Sequence, residues 1–214
     1  AWLKQAKQLP EIHLCNRIDR ESSGLVIVAK SANYANKLNK TLSMPECEKK
    51  YICIVHGKFP DQKICQGWII NYSKSKVRKK KCFVENLEEN HEQEKAYRAS
   101  TEFKLLQYSE KKDISLLEAK LLTGRTHQIR AVLQSINFPI LGDKLYGLDE
   151  NFFIKFANGK LTQEDKEKLV LERQALHAWK IKLNIPDENQ QKEFKAEIPP
   201  EFWNVVIRSA ASPS

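Results

Sequence analysis

With 214 residues, 41% of them hydrophobic and 29% charged, the chain has the composition of a globular protein with enough apolar material for a sizeable core. No run approaches the ~18 consecutive apolar residues that span a membrane, and the first seven residues lack the apolar centre of a signal peptide. The net charge of +9 favours an anionic partner, most often nucleic acid, although a basic surface also serves plain solubility.

Residues 1–15 read as a short helical or irregular lead-in, and the lack of an initiator Met leads us to expect a trimmed chain. Asn16-Arg17-Ile18-Asp19-Arg20-Glu21-Ser22-Ser23-Gly24 then places one carboxylate, Asp19, between two arginines. Leu25-Val26-Ile27-Val28-Ala29-Lys30 is an apolar, β-branched run that reads as a buried strand. A charged cluster on a tight loop held by a core strand is one way to build a site. A surface turn with an ordinary ion pair is the other reading of the same residues. Ser31 is placed to cap a helix over residues 32–42, with Tyr34, Ala35 and Leu38 on one face and Pro45 barring its continuation. Residues 49–57 form a second strand: Tyr51, Cys53 and Val55 share one face, and Lys50, Ile52 and Ile54 the other.

Residues 60–95 form a hairpin-like excursion. Its basic run, Lys74, Lys76, Arg78, Lys79, Lys80 and Lys81, is either a solvated loop or an arm that tracks phosphates. Glu85, Glu88, Glu89, Glu92 and Glu94 follow and offset part of that charge. Residues 96–107 and 114–122 are two more strands, joined by a polar turn. The second enters Thr123-Gly124-Arg125-Thr126-His127-Gln128-Ile129-Arg130, where the apolar period changes from two to about 3.6. Ile129, Val132, Leu133 and Ile136 then line one helical face, while His127, Arg130 and Gln134 turn toward something polar. Thr126 is the candidate N-cap, and Gly124 permits a sharp strand-to-helix turn.

Gly142-Asp143 and Tyr146-Gly147 fall in a compact turn after Pro139. Residues 151–172 read as a helical insertion, with Asn158-Gly159 a turn and Thr162 starting a charged helix. Residues 173–183 return to the core as helix end or strand, and Pro186, Pro199 and Pro200 precede a short amphipathic piece over 202–207. With no repeat and no clear linker, a single domain over 1–214 is expected. Cys15, Cys47, Cys53, Cys65 and Cys82 are odd in number and form no Cys-x-x-Cys; His13 lies near Cys15, but nothing completes a metal set. Reduced thiols in a cytoplasmic compartment, and no structural metal, are the expectation.

Taken in order, these stretches resemble the motifs of the RluA-type family of RNA pseudouridine synthases. Residues 16–25 resemble its first motif, normally His-Arg-Leu-Asp-Arg-x-Thr-Ser-Gly-Leu. Lys50-Tyr51 with Val55-His56-Gly57 resembles the second. Residues 123–130, followed by Gly142-Asp143 and Tyr146-Gly147, resemble the third, and Arg173-Gln174-Ala175-Leu176-His177-Ala178 matches the closing core segment. Coincident motifs in the right order are far more specific than any one alone; the similarity covers roughly residues 12–200.

The resemblance implies an α+β fold around a large, mostly antiparallel or mixed sheet flanked by helices, with the active cleft across its middle. It also implies isomerisation of uridine to pseudouridine in structured RNA, without cofactor or metal, by a cytoplasmic monomer. Large-subunit ribosomal RNA is the implied substrate, with tRNA second. Position by position, it makes Asp19 the catalytic aspartate, Tyr51 the ring that stacks on the target base and Arg130 the ion-pair partner of Asp19. Arg17 helps displace the flipped nucleotide. Arg20, Arg125, His127 and Gln128, with Lys79 and Lys80 of the basic run, are candidate RNA contacts.

Three departures accompany it. Asn16 replaces the usual histidine, Ala131-Val132 stand where Val-His is common, and neither the usual Lys-Pro segment before the first motif nor an S4-like RNA-binding domain is found.

Pseudouridine formation breaks the N1–C1′ bond, turns the uracil and joins C5 to C1′. It needs an ionised carboxylate, whether that group attacks covalently or removes a sugar proton, and a guanidinium beside it favours the charged form. An aromatic face tolerates rotation of the base better than fixed hydrogen bonds do. Two other readings compete: a non-catalytic RNA-binding or assembly protein on the same fold, and a hydrolase pairing Asp19 with His127. The set Asp19, Tyr51 and Arg130 argues against the first, and no nucleophile elbow or metal cluster supports the second.

Overall fold

The structure, a computed structural model, describes residues 5, 7–87, 95–188 and 190–207. Three short strands come first: β1 (His13–Leu14), β2 (Ser23–Gly24) and β3 (Val28–Ala29). Helix α1 (Ala32–Ser43) follows, then β4 (Glu48–His56), β5 (Gln62–Asn71), β6 (Lys81–Val84), β7 (Tyr97–Ser109) and β8 (Ile114–Leu121). Next are α2 (Gln128–Ser135), α3 (Asn151–Ala157) and α4 (Gln163–Leu169), and the described chain closes with β9 (Leu176–Asn184), β10 (Gln191–Lys195) and α5 (Pro200–Ile207).

The main sheet has the order β10-β9-β4-β8-β7-β5-β6, all antiparallel. It becomes mixed through β2, which runs parallel to β9 with Ser23 opposite His177 and Gly24 opposite Ala178. This is the α+β architecture of a mostly antiparallel sheet flanked by helices. Ile52, Cys53, Ile54 and Val55 of β4 are wholly buried because β4 lies between β9 and β8 and both its faces are covered. That explains why the strand reads as a continuous apolar run instead of alternating.

The apolar run over 25–30 is not one buried strand. Gly24 has φ +108, and a Cβ there would lie 2.2 Å from the Ala178 carbonyl oxygen. After this turn the chain leaves the sheet. Val26 is exposed, Val28 and Ala29 pair only with β1, and Leu25 and Ile27 pack into a satellite core with Ala35, Leu38 and Leu42 of α1 and Ile181 and Leu183 of β9. Helix α1 begins where Ser31 accepts a hydrogen bond from the Tyr34 N–H, and ends at Met44, just before Pro45.

Residues 176–184 resolve as strand β9. Strand β10 shows no apolar alternation in sequence, because Gln191, Glu193, Phe194 and Lys195 are all exposed; its charged residues are suited to a sheet edge. Thr162 caps α4 in a reciprocal arrangement with Asp165. No disulfide joins any of the five cysteines. Among the described residues no helix is long and apolar enough to cross a membrane. The acidic residues Glu88, Glu89, Glu92 and Glu94 lie outside the described residues.

Candidate active site

A cleft of ≈ 280 Å³ opens where the loop over 16–22 faces β4 and the N-terminal end of α2. Arg17, Asp19, Lys49, Tyr51, Arg125, His127 and Arg130 are among the residues lining it. Its walls are fixed by local bonding. Asn16 accepts a hydrogen bond from the Ile27 N–H at 2.6 Å and donates to the Leu25 carbonyl at 3.3 Å, closing the base of the loop. The Ser22 N–H donates to the Asp19 carbonyl at 3.0 Å, and the Leu25 N–H to the Ala178 carbonyl at 2.9 Å. Gln174 donates to Ser22 Oγ at 2.7 Å, the Ser23 hydroxyl lies 2.8 Å from His177 Nδ1, and Lys144 pairs with Glu21 at 2.6 Å. Asp19 therefore sits on a loop tied to the core on both flanks.

Arg130 is buried in α2. Its Nη1 donates to Asp19 Oδ2 at 2.8 Å, while Nε and Nη2 donate to the two oxygens of Asp143 at 2.6 and 2.8 Å. The guanidinium also lies 4.7 Å from the Tyr146 ring centroid. Burial works against the charge on Arg130, but Asp143 and then Asp19 outweigh it and push its pKa up. Burial alone would raise Asp143. Arg130 and the N–H groups of Tyr146 and Leu145, each 2.9 Å from Oδ1, hold it below the usual carboxylate range. This is a bidentate, charge-assisted pair with its remaining acceptor capacity filled. Asp143 had no role assigned from sequence; the Gly-Asp step in a compact turn after the third motif was its only signal. Gly142 has φ +70, and a Cβ there would meet the Arg173 carbonyl at 2.3 Å, so that turn needs glycine.

Helix α2 differs from the amphipathic helix read from its pattern. Gln128, Arg130 and Ala131 are buried along with Ile129, Val132 and Leu133, so the polar side of the helix faces protein. Thr126 does not cap it. The N-cap is His127, in left-handed conformation at φ 58 with no side-chain capping bond, and Gly124 does not have a positive φ. Gln128 closes the loop instead. Its Oε1 accepts from Thr123 Oγ1 at 2.8 Å and from the Arg125 N–H at 2.9 Å; its Nε2 donates to the Ser100 carbonyl and Thr101 Oγ1. With its amide so engaged, Gln128 is a positioning residue and not a free RNA contact.

His127 Nδ1 lies 2.9 Å from the Tyr146 hydroxyl, and its Nε2 faces Asp19 Oδ1 at 3.9 Å. Burial, and next the charge of Arg130, push its pKa below the ordinary value against the pull of Asp19 and Asp143; Arg17 lowers it further. Tyr51 presents its ring to the same cleft, and burial, with Asp19 adding to it, pushes its phenol up to about 12. Tyr51 is thus a neutral aromatic face at physiological pH.

The remaining candidates separate. Arg17 and Arg125 are exposed at the cleft, and Arg125 is steadied by its Nε bond to the Arg98 carbonyl at 3.0 Å. Arg20 does not line the cleft; its guanidinium lies 5.9 Å from the Phe156 ring centroid of α3. Lys80 is no phosphate contact. It is 4% exposed, donates to Glu150 at 3.1 Å and lies over the rings of Tyr72 and Tyr146. Lys79 is exposed on the turn between β5 and β6, outside the cleft lining. Lys49, which lines the cleft and donates to the Leu42 carbonyl, was not singled out from sequence.

The sequence profile described as RNA pseudouridylate synthase matches residues 3–135. The chain belongs to that family. It is 33% identical over 186 residues to mouse "Pseudouridylate synthase RPUSD2", covering 86% of this chain and 31% of the relative. It is 31% identical over 187 residues to "Ribosomal large subunit pseudouridine synthase D" of Zymomonas mobilis, covering 87% and 52%. The chain thus spans about a third to a half of these relatives' length. A solved human structure, "RNA Pseudouridylate Synthase Domain Containing 1", shares the fold with a TM-score of 0.71 at 21% identity, covering 98% of this chain and 78% of that one.

Proposed function

We propose that this chain isomerises specific uridines to pseudouridine in structured RNA, with Asp19 as the catalytic carboxylate. The observation that carries this reading is the chain of charges in the cleft: Asp19 bound by Arg130, and Arg130 held by the buried Asp143, beside the neutral ring of Tyr51. Binding alone does not call for a carboxylate fixed in an RNA cleft, where it repels phosphate.

In the reaction the N1–C1′ bond breaks and a C5–C1′ bond forms; C5 loses its proton and N1 gains one, so the base is rearranged without net change in composition. Asp19 acts on the sugar side, either bonding to C1′ or taking a sugar proton that it later returns. Arg130 holds and aims that carboxylate. Tyr51 stacks on the loosened ring. The target leaves its stack at a cost of roughly a few kcal/mol, and Arg17, exposed two residues from Asp19, is placed to fill the gap. Arg125, Lys49 and the outlying Lys79 supply charge for the phosphates, so binding weakens with salt.

Large-subunit ribosomal RNA is the substrate we favour, because the Zymomonas relative carries that substrate in its name; tRNA is the second choice. Carbodiimide-labelled primer extension on RNA from cells lacking the protein, and from cells expressing the wild type or Asp19→Ala, tests this. A stop restored by the wild type and absent with Asp19→Ala, which still binds RNA, supports it and names the site. Identical stops in all three RNAs would sink it.

A further inference from the structure

The hydrogen bonds behind His127 fix which of its ring nitrogens carries the proton. Tyr146 is wholly buried, and its hydroxyl oxygen has two partners among the described residues: the Lys81 N–H at 2.7 Å and His127 Nδ1 at 2.9 Å. The Lys81 amide only donates, so it takes one lone pair of the oxygen. The phenol keeps its own proton, because burial pushes its pKa up well beyond neutrality. That proton needs an acceptor, and His127 Nδ1 is the one within reach. The opposite tautomer would aim an Nδ1–H at the hydroxyl and leave the buried O–H with no acceptor, a costly arrangement. Neutral His127 therefore carries its hydrogen on Nε2, which faces the cleft. Around it stand Asp19 on the loop, Arg130 on α2, Asp143 and Tyr146 on the following turn, and Arg17 at the rim.

Nε2 is 3.9 Å from Asp19 Oδ1, too far for a hydrogen bond between them. The donor is thus unspent, beside the carboxylate that must meet C1′. Uracil bound with C1′ against Asp19 has a carbonyl on the ring atom next to the glycosidic bond. Before the ring turns this is O2, beside N1. A half-turn about the N3–C6 axis exchanges N1 with C5 and O2 with O4. A fixed donor beside C1′ therefore finds a carbonyl oxygen in both orientations. Cytosine offers O2 in the first but an amino group in the second, and an amino group opposes an N–H donor.

Resting on the pseudouridine reading of the same cleft, we propose that His127 is the base-holding donor: its Nε2–H binds O2 before the turn and O4 after it, which retains uracil and rejects cytosine. Tyr146 is the positioning residue that sets the tautomer.

Two arms test this on the full chain. Long-range proton–nitrogen correlation of the histidine rings, with His127 assigned by comparison with His127→Asn, reads the tautomer at pH 7.5. We expect a protonated Nε2 and a bare Nδ1 in the wild type, and loss of that fixed state in Tyr146→Phe. Turnover and filter binding are then measured on RNA extracted from cells lacking the protein. His127→Asn keeps a side-chain amide near Tyr146 and suits the left-handed backbone, but has no group in place of Nε2; it forms pseudouridine about 10–100-fold more slowly, a larger loss than its loss of RNA affinity. His127→Gln, whose amide nitrogen reaches the place of Nε2, retains most of the turnover. A wild-type Nδ1–H tautomer, or full turnover by His127→Asn, overturns the proposal while the pseudouridine reading stands. Absence of pseudouridine formation by the wild type overturns that reading and the base-holding role with it, whatever tautomer is found.

Discussion

Asp143 grips Arg130 by two bonds of 2.6 and 2.8 Å, which leaves Nη1 to reach Asp19 at 2.8 Å. The two carboxylates therefore have unequal duties although they share one guanidinium. Asp143 is wholly buried and exists only for protein partners, whereas Asp19 faces the cleft. Removing Asp143 leaves a buried cation with a single partially exposed counter-charge, so Asp143→Ala is expected to cost about 3–5 kcal/mol. Asp19→Ala leaves the two-pronged pair intact and is expected to cost roughly 1–2 kcal/mol while abolishing turnover. Urea denaturation of the two variants checks the contrast; equal losses would contradict this division of labour.

Arg130→Lys separates charge from geometry. An ammonium supplies the charge but not the planar fork, so it cannot bind both oxygens of Asp143 and still reach Asp19 along the same axis. We expect turnover to fall at least 100-fold, the range seen when a pre-organised donor is lost, with RNA affinity little changed because Arg130 is buried. Single-turnover kinetics beside filter binding distinguishes this from a loss of binding. A lysine variant with turnover near the wild type would show that a point charge suffices.

How much of this could be read from the chain depends on where each residue's partners come from. Asp19, Tyr51 and Arg130 stand in motifs whose order and spacing carry the information, and the helix at 32–43 declares itself through Ser31, its apolar face and Pro45. Asp143 was passed over because one Asp in a Gly-rich turn resembles any other, and its two-pronged bond comes from a helix packed over it. Lys80 was misread because five of its neighbours in the basic run hide the one lysine that α3's preceding residue, Glu150, pulls inward. Thr126 looked like the cap on local preference, yet the tertiary bonds of Gln128 to Ser100 and Thr101 on β7 shift the helix start by one residue.

Acid should weaken the fold as pH falls through the histidine range. Burial lowers the pKa values of His56, His127 and His177 from 6.5. Each is then more readily protonated in the unfolded chain than in the folded one, so unfolding takes up protons as pH falls through 6.5. The stability these groups contribute is complete above 6.5 and is lost progressively as pH drops toward and through their folded values. Asp143, held below 3.8 in the fold, adds a second loss only at still lower pH, by the same sign. Urea midpoints at pH 7.5, 5.5 and 4.5 check this: a falling midpoint with unchanged slope is expected, and an equal midpoint at 7.5 and 5.5 would show the histidines to be neutral bystanders.

Two glycines, one in β2 behind the Asp19 loop and one on the cleft wall, should respond oppositely to alanine. Gly24 has φ +108, and its missing Cβ would lie 2.2 Å from the Ala178 carbonyl oxygen and 2.6 Å from the Ala178 nitrogen. Those atoms belong to β9 and cannot give way, so Gly24→Ala must push β2 off the sheet, and with it the loop that carries Asp19. A cost above about 2 kcal/mol and loss of turnover are expected. Gly124 has an ordinary φ, and a Cβ there meets nothing within 4 Å. Its alanine variant should fold at least as well as the wild type, gaining up to about 0.4–1 kcal/mol from a less flexible unfolded chain. Yet Gly124 lines the cleft, so the added methyl takes space from the nucleotide and turnover should fall without any loss of stability. Thermal melts and primer-extension assays on the pair separate the two effects, and a Gly124→Ala protein with full turnover would move the bound base away from that wall.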